Sequence, residues 1–186
     1  MIQPIKIGIY GSDKGHGTAK IMSTLLKQKA IGHILISVLR YEQIGNEMQL
    51  IIFQTSRLAD IFAMRPDIIL FEHTQARHCD TDLSGLDAIA VLETDDTDAA
   101  NIIADTGISA VTCGLSQKSS VTVSSITDTE TVISVQRSII DLFGNVIEPQ
   151  EIKVAIGPEC GHEYEAVSAA TALLLSGITP QALENV

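Results

Sequence analysis

Apolar runs of strand length alternate with amphipathic stretches of helix length through the first two thirds of the chain. Ile5–Tyr10, Ile34–Leu39, Leu50–Gln54, Asp67–Glu72, Ala88–Leu92 and Ser109–Cys113 read as strands. Several are nearly continuous in Ile, Val and Leu, the pattern of a strand buried on both faces of a parallel sheet. Between them, Thr18–Lys29, Arg57–Met64 and Asp98–Thr106 read as helices. Gly32 and Gly107 stand where helices should stop. Strand–helix–strand repetition predicts a mostly parallel, doubly wound α/β sheet with its sites at the carboxyl ends of the strands.

The pattern changes near residue 119. Val121–Ser125, Thr131–Ser138 and Val146–Ala155 are rich in Val, Ile, Ser and Thr with no helix between them, and Gly144–Asn145 forms a tight-turn signal. A small, separate antiparallel sheet over residues 119–155 is expected. A helix over His162–Ser176 follows, closed by Gly177, and Thr179–Pro180 suits the N-cap and first turn of a last short helix. The chain is expected to be one domain, with residues 1–118 and 156–186 as its α/β core.

The first strand ends in a glycine-rich turn, IGIYGSDKGHGTAK over residues 7–20. A strand, a glycine turn and a helix start, in that order, make a phosphate-binding loop, in which backbone N–H groups and the helix N-terminus face the anion. Gly11, Ser12, Asp13, Lys14, Gly15, His16, Gly17 and Thr18 are therefore the candidate nucleotide loop. The competing reading is a plain tight turn.

Composition narrows the partners. Hydrophobic residues make up 45% of the 186 and charged residues 19%, as in a folded globular protein. Twelve basic against 23 acidic residues give a net charge of −11, which disfavours nucleic acid and anionic lipid as partners. No apolar run approaches the roughly 20 residues that cross a bilayer, and MIQPIKIGIYGS lacks the charged-then-apolar pattern of a secretory leader. Cys79, Cys113 and Cys160 have no CxxC spacing and read as reduced thiols of a cytoplasmic protein, Cys113 as a buried strand residue.

The order of these features resembles the central, ATP-binding domain of the Mur ligase family, which includes folylpolyglutamate and cyanophycin synthetases. Those enzymes phosphorylate a carboxylate with ATP and let an amine attack the acyl phosphate. The family loop Gly-Thr-Asn-Gly-Lys-Thr-Thr matches GSDKGHGTA if Lys14 is an insertion. His16 then stands at the lysine, Gly17 at the magnesium-binding Thr and Thr18 at the next Thr. The family's Glu-x-Ser matches IIFQTS, residues 51–56, with Gln54 at the magnesium-binding glutamate. Its Thr-Asn-Ile-x-x-Asp-His-Leu-Asp matches FEHTQARHCD, residues 71–80, retaining His78 and Asp80 and placing Arg77 at the first Asp. Asn-Ala-Asp-Asp appears as Glu93 to Asp96, and Tyr/Phe-Gly-Leu as Cys113 to Leu115. Gly-x-His-Asn-x-x-Asn-x-x-Ala-Ala appears as CGHEYEAVSAA, keeping His162 with Glu163 and Ala166 at the two asparagines.

The resemblance implies ATP as the ligand, with Asp95, Asp96 and His162 as further nucleotide contacts, and a magnesium site at Gln54 and His78 that has been weakened. Gln54 removes a charge, Gly17 a hydroxyl, and Arg77 adds a positive charge, each acting against the same ion. Without it, phosphoryl transfer loses its main electrostatic stabiliser. The expectation is a catalytically impaired relative that keeps phosphate or nucleotide binding. One alternative is an active ATP-dependent amide ligase subunit completed by partner chains or self-association in place of the flanking domains. Another is a structural module that binds no nucleotide. His73, His78 and Asp80 with Glu72 can also be read as a transition-metal cluster, and Asp95 and Asp96 equally as N-capping residues.

Overall fold

The computed structural model describes residues 3–11, 17–37, 40–72, 81–156 and 163–184. In chain order the elements begin β1 (Ile5–Tyr10), α1 (Gly17–Gln28), β2 (His33–Ser37), β3 (Arg40–Ile44), β4 (Leu50–Thr55), α2 (Leu58–Met64), β5 (Ile68–Phe71), β6 (Ile89–Glu93) and α3 (Thr97–Ile103). They continue with β7 (Ser109–Gly114), β8 (Val121–Ile126), β9 (Thr131–Val135), β10 (Ile139–Ile140), β11 (Val146–Ile147), β12 (Gln150–Val154), α4 (Glu163–Leu175) and α5 (Pro180–Leu183).

Among the described residues, ten strands form one sheet in the order β12-β9-β8-β7-β6-β5-β1-β4-β2-β3. The strands from β2 through β4, β1, β5, β6 and β7 to β8 run parallel. The fold is thus α/β with a mostly parallel sheet, and β1 lies in its interior between β4 and β5. Alternate residues of the central strands feed two cores. Ile7, Ile9, Ile68, Leu70 and Val91 join α1 and α4 on one face, while Tyr10, Ile69, Phe71, Ala90 and Leu92 join α2 and α3 on the other. Burial on both faces is what the continuous apolar runs anticipate.

Three local features differ from expectation. The antiparallel segment near residues 119–155 exists, but most of it is not detached. β8 pairs parallel with β7, and β9 and β12 then add antiparallel strands to the same sheet. Only β10 and β11 form a two-stranded sheet of their own. The apolar stretch from Val146 to Ala155 splits into β11 and β12 around Pro149, which has no N–H to offer a ladder. Second, Gly32 does not end α1. Ala30 takes the left-handed conformation at φ 55°, Ala30 N–H donates to the Lys27 carbonyl, and Ile31 N–H reaches back to that of Leu26. Gly32 is instead required by crowding, since a Cβ there would lie 1.8 Å from the Glu47 carbonyl oxygen. Third, β3 is an edge strand antiparallel to β2 that the apolar pattern does not reveal.

α3 likewise stops at Ile103, short of Gly107, while the ends around α4 and α5 follow the sequence. Gly177, at φ 84°, closes α4, its N–H donating to the Leu174 carbonyl. The Thr179 hydroxyl accepts from Ala182 N–H to cap α5, with Pro180 in the first turn. Among the described residues no helix is long and apolar enough to cross a membrane.

Candidate functional site

The carboxyl ends of β1, β4, β5 and β6 bring Gly11, Gln54, Glu72 and Glu93 to one edge of the sheet, where α1 also begins. Ser12, Asp13, Lys14, Gly15 and His16 of the candidate loop lie outside the described residues, as do His73, Arg77, His78, Asp80 and His162. Gly11 prolongs the sheet by donating its N–H to the Thr55 carbonyl at 3.1 Å. A Cβ at Gly11 would come within 2.8 Å of the Glu72 Cβ and 3.0 Å of the Glu72 carbonyl oxygen, so only glycine lets the two chain segments pass this closely. Gln54 and Glu72 are both buried, and the Gln54 amide donates to a Glu72 carboxylate oxygen across 3.5 Å.

The first turn of α4 closes this edge. The Tyr164 hydroxyl is buried and donates to the Phe71 carbonyl at 2.8 Å, tying α4 to the end of β5. Burial pushes the Tyr164 pKa well above its ordinary value, and neighbouring Cys113, Glu93 and Glu72 add to the effect. Burial also pushes the Cys113 thiol up to about 12, with Tyr164 acting against the shift and Glu93 adding to it. Both groups stay protonated at neutral pH, so Cys113 is a buried strand residue and not a thiolate nucleophile.

Glu165, one residue on, reaches the start of α1. A Cβ built on Gly17 would lie 2.0 Å from the Glu165 carboxyl carbon, so the carboxylate fills the space that a side chain at residue 17 would take. The first turn of α1 contains no acidic residue of its own. An anion at a helix N-terminus meets the positive end of the helix dipole, and α4 supplies that anion here. The Thr18 side chain is buried between the same two helices, its hydroxyl 3.4 Å from that of Ser168.

Asp96 is the N-cap of α3, accepting from Ala99 N–H at 2.8 Å, while Asp95 stands exposed beside it. Among the described residues no group of three or more His, Cys, Asp or Glu side chains is placed to hold a metal ion. The carboxylates of Glu72, Glu93 and Glu165 and the hydroxyl of Tyr164 were not singled out as a group by sequence reasoning. The available signal was slight: an acidic residue directly after the buried run IILF, and Glu-Tyr-Glu at a helix start.

No protein-family model matches the sequence, and no curated protein matches it. Solved structures do match its fold. Folylpolyglutamate synthetase from Lactobacillus casei superposes with a TM-score of 0.60 at 10% identity, over 98% of this chain and 61% of that one. A murein peptide ligase from Psychrobacter arcticus gives 0.64 at 8% identity, over 97% of this chain and 45% of the ligase. MurF ligase from Thermotoga maritima in complex with ADP gives 0.56 at 14% identity, over 98% and 48%. The fold is Mur-ligase-like. The chain spans between 45% and 61% of the length of these three proteins. Within this Mur-ligase-like frame, the edge that carries Gly11, Gly17, Gln54 and Glu72 is the carboxyl edge of the parallel sheet, where α/β folds place their ligands.

Proposed function

We propose that the chain is a Mur-ligase-like nucleotide-binding domain, cytoplasmic, that retains weak phosphate affinity and has lost metal-dependent amide ligation. The observation that carries this reading is the position of α1: it starts at Gly17, directly after an interior parallel strand, with its N-terminus at the carboxyl edge of the sheet. The MurF structure holding ADP supports nucleotide as the ligand class. Gly17 and Thr18 would contribute helix-start N–H contacts to the phosphates, with Gly11, its own N–H bonded to Thr55, leading the chain into the loop; Lys14 and His16 would supply the nearby positive charge, and Asp95, Asp96 and His162 contacts toward the nucleoside. A nucleotide so bound would supply the phosphoryl group of the family chemistry.

The residues present do not fit a magnesium ion well. Position 54 is a neutral amide whose N–H donates toward Glu72, and position 17 has no side chain, its place being filled by the Glu165 carboxylate. Magnesium demands near-octahedral oxygen ligands, preferably anionic, and among the described residues at this edge the buried Glu72 carboxylate already faces an amide donor. No catalytic step is assigned to the metal.

Calorimetric titration of the full chain with ATP and with ADP, each with and without magnesium, tests the reading. Binding on the order of millimolar is expected, weakened by salt and indifferent to magnesium. Turnover of ATP with a strong magnesium requirement would instead mark an active ligase subunit, completed by partner chains or self-association. No nucleotide binding under any condition would leave a structural module.

A further inference from the structure

The hairpin of β10 and β11 is apolar on both faces. Ile139 and Ile147 oppose each other across it and lie buried in the larger core, which fixes its inner face. Ile140 and Val146, the other directly opposed pair, therefore share the outer face, where they are 58% and 54% exposed. An antiparallel pair with one face on a core ordinarily turns polar residues to water on the other. The turn adds Phe143, 66% exposed. That turn is pinned: the Asp141 carboxylate accepts from the N–H groups of Phe143 and Asn145 at 2.9 and 2.8 Å, and Leu142 N–H donates to the Leu175 carbonyl of α4. The apolar outer face is thus held in one place.

Beside the turn, at the amino-terminal edge of the sheet, a cavity of about 350 Å³ opens near the starts of β1, β5 and β6. Ile5, Ile89, Leu142 and Phe143 line it together with Asp67 and Asp87, so its charged lining is entirely negative. The Asp67 carboxylate is fixed by the Lys6 N–H at 2.7 Å, while the Lys6 ammonium donates to the Met64 carbonyl at 2.8 Å. Glu148, exposed just after β11, adds another carboxylate, which accepts from the Ser138 hydroxyl. Apolar side chains bordered by carboxylates complement a segment that combines apolar and cationic residues. A second copy of a chain of net charge −11 would be repelled.

We propose that the outer face of the β10–β11 hairpin and the adjoining cavity dock a basic, amphipathic segment of another protein. Its apolar side chains would lie on Ile140, Val146 and Phe143, and a Lys or Arg side chain would enter the cavity toward Asp67 and Asp87. This surface lies at the edge of the sheet opposite the proposed phosphate site and does not depend on it.

The test is fluorescence anisotropy of a short labelled peptide of alternating leucine and arginine, titrated with the full-length chain. A Kd on the order of 10–100 μM is expected, weakening as salt is raised. Ile140→Ser with Val146→Ser should weaken binding about tenfold and leave the Tm nearly unchanged, because both side chains are already exposed. Asp67→Asn with Asp87→Asn should weaken it about fivefold and flatten the salt dependence. Leu115→Ser removes another side chain that is 54% exposed, directly after β7 at the opposite edge, and should change affinity by less than about twofold. Absence of binding at millimolar peptide overturns the proposal, as does equal binding of a leucine–glutamate peptide. An equal loss in Leu115→Ser overturns it by showing unspecific adhesion. If n-butylamine binds as tightly as the peptide and only the aspartate variants weaken it, the cavity is a small-amine site and the docking surface is overturned. A dimer in sedimentation that the Ile140→Ser, Val146→Ser variant dissolves overturns it in favour of a second copy.

Discussion

The two faces of the central sheet are built to different depths. On one face lie α1 and α4, with twelve and thirteen residues, and eleven of the thirteen in α4 are buried. On the other lie α2 and α3, seven residues each, burying only Leu58 and Ile61 from the first and Ala99 from the second. A helix that is apolar nearly all round must be enclosed, and α4 is enclosed by the sheet, by α1 and by Ile139 and Ile147 of the β10–β11 hairpin. The candidate site is assembled by the deep face. Gly17, Thr18, Tyr164 and Glu165 all belong to helices fixed in the larger core, so their mutual positions are set by packing. The shallow face contributes only the capping turn at Asp96.

The sharpest way to probe this difference is to cut into each core. Leu173→Ala, fully buried in α4, should cost about 3–5 kcal/mol in urea unfolding, and Leu58→Ala in α2 about 2–3 kcal/mol, because a short surface helix can relax into the space. Equal losses would mean that the two faces are equally rigid. A smaller effect is expected within the site. Gln54→Glu sets a second buried carboxylate against Glu72 and should cost about 1–3 kcal/mol at neutral pH. Repulsion raises the carboxyl pKa in the folded state, so the folded form holds the extra proton more tightly. The penalty therefore shrinks as pH falls through the raised pKa and grows as pH rises. Magnesium should relieve it if the introduced charge restores a cation ligand, and stability measured across pH with and without the ion checks both points. The smallest change is Asp96→Ala, which removes the N-cap of α3 and should cost about 1 kcal/mol. Hydrogen exchange should speed up along Thr97–Ile103 and leave α4 unchanged.

Much of this architecture is legible in the sequence, for a reason visible in the cores. Strands covered on both faces must be continuously apolar, so β1, β4, β5 and β6 announce themselves. Strands exposed on one face are quieter. β12 alternates, with Ile152 and Val154 buried and Glu151 and Lys153 exposed, and its membership in the main sheet depends on pairing with β9, which no local pattern encodes. β3, carrying Glu42 and Gln43 at an edge, offers almost no apolar signal. The site divides the same way. Gly11 and Gly17 stand out because a loop between strand and helix needs them, and Gln54 because it ends an apolar strand. Glu72, Tyr164 and Glu165 matter only once β5 and α4 are folded against α1, and that meeting is set by the tertiary packing of α4. Asp96 was equally readable as ligand contact or cap, and the structure gives it a cap.

The two ends of the sheet govern how the molecule behaves in a crowd. β3 and β12 are the terminal strands of the sheet, and an open strand edge is a template on which another chain can polymerise. β3 carries Glu42, ion-paired with Lys27 of α1, and β12 carries exposed Glu151 and Lys153, with Val154 bridged to Glu184. A second chain adding edge to edge would have to desolvate these charged side chains, on a molecule of net charge −11. Fibrillar association is thus opposed at both ends, and the protein should remain dispersed under concentrations and salt conditions that precipitate sheets with apolar edges.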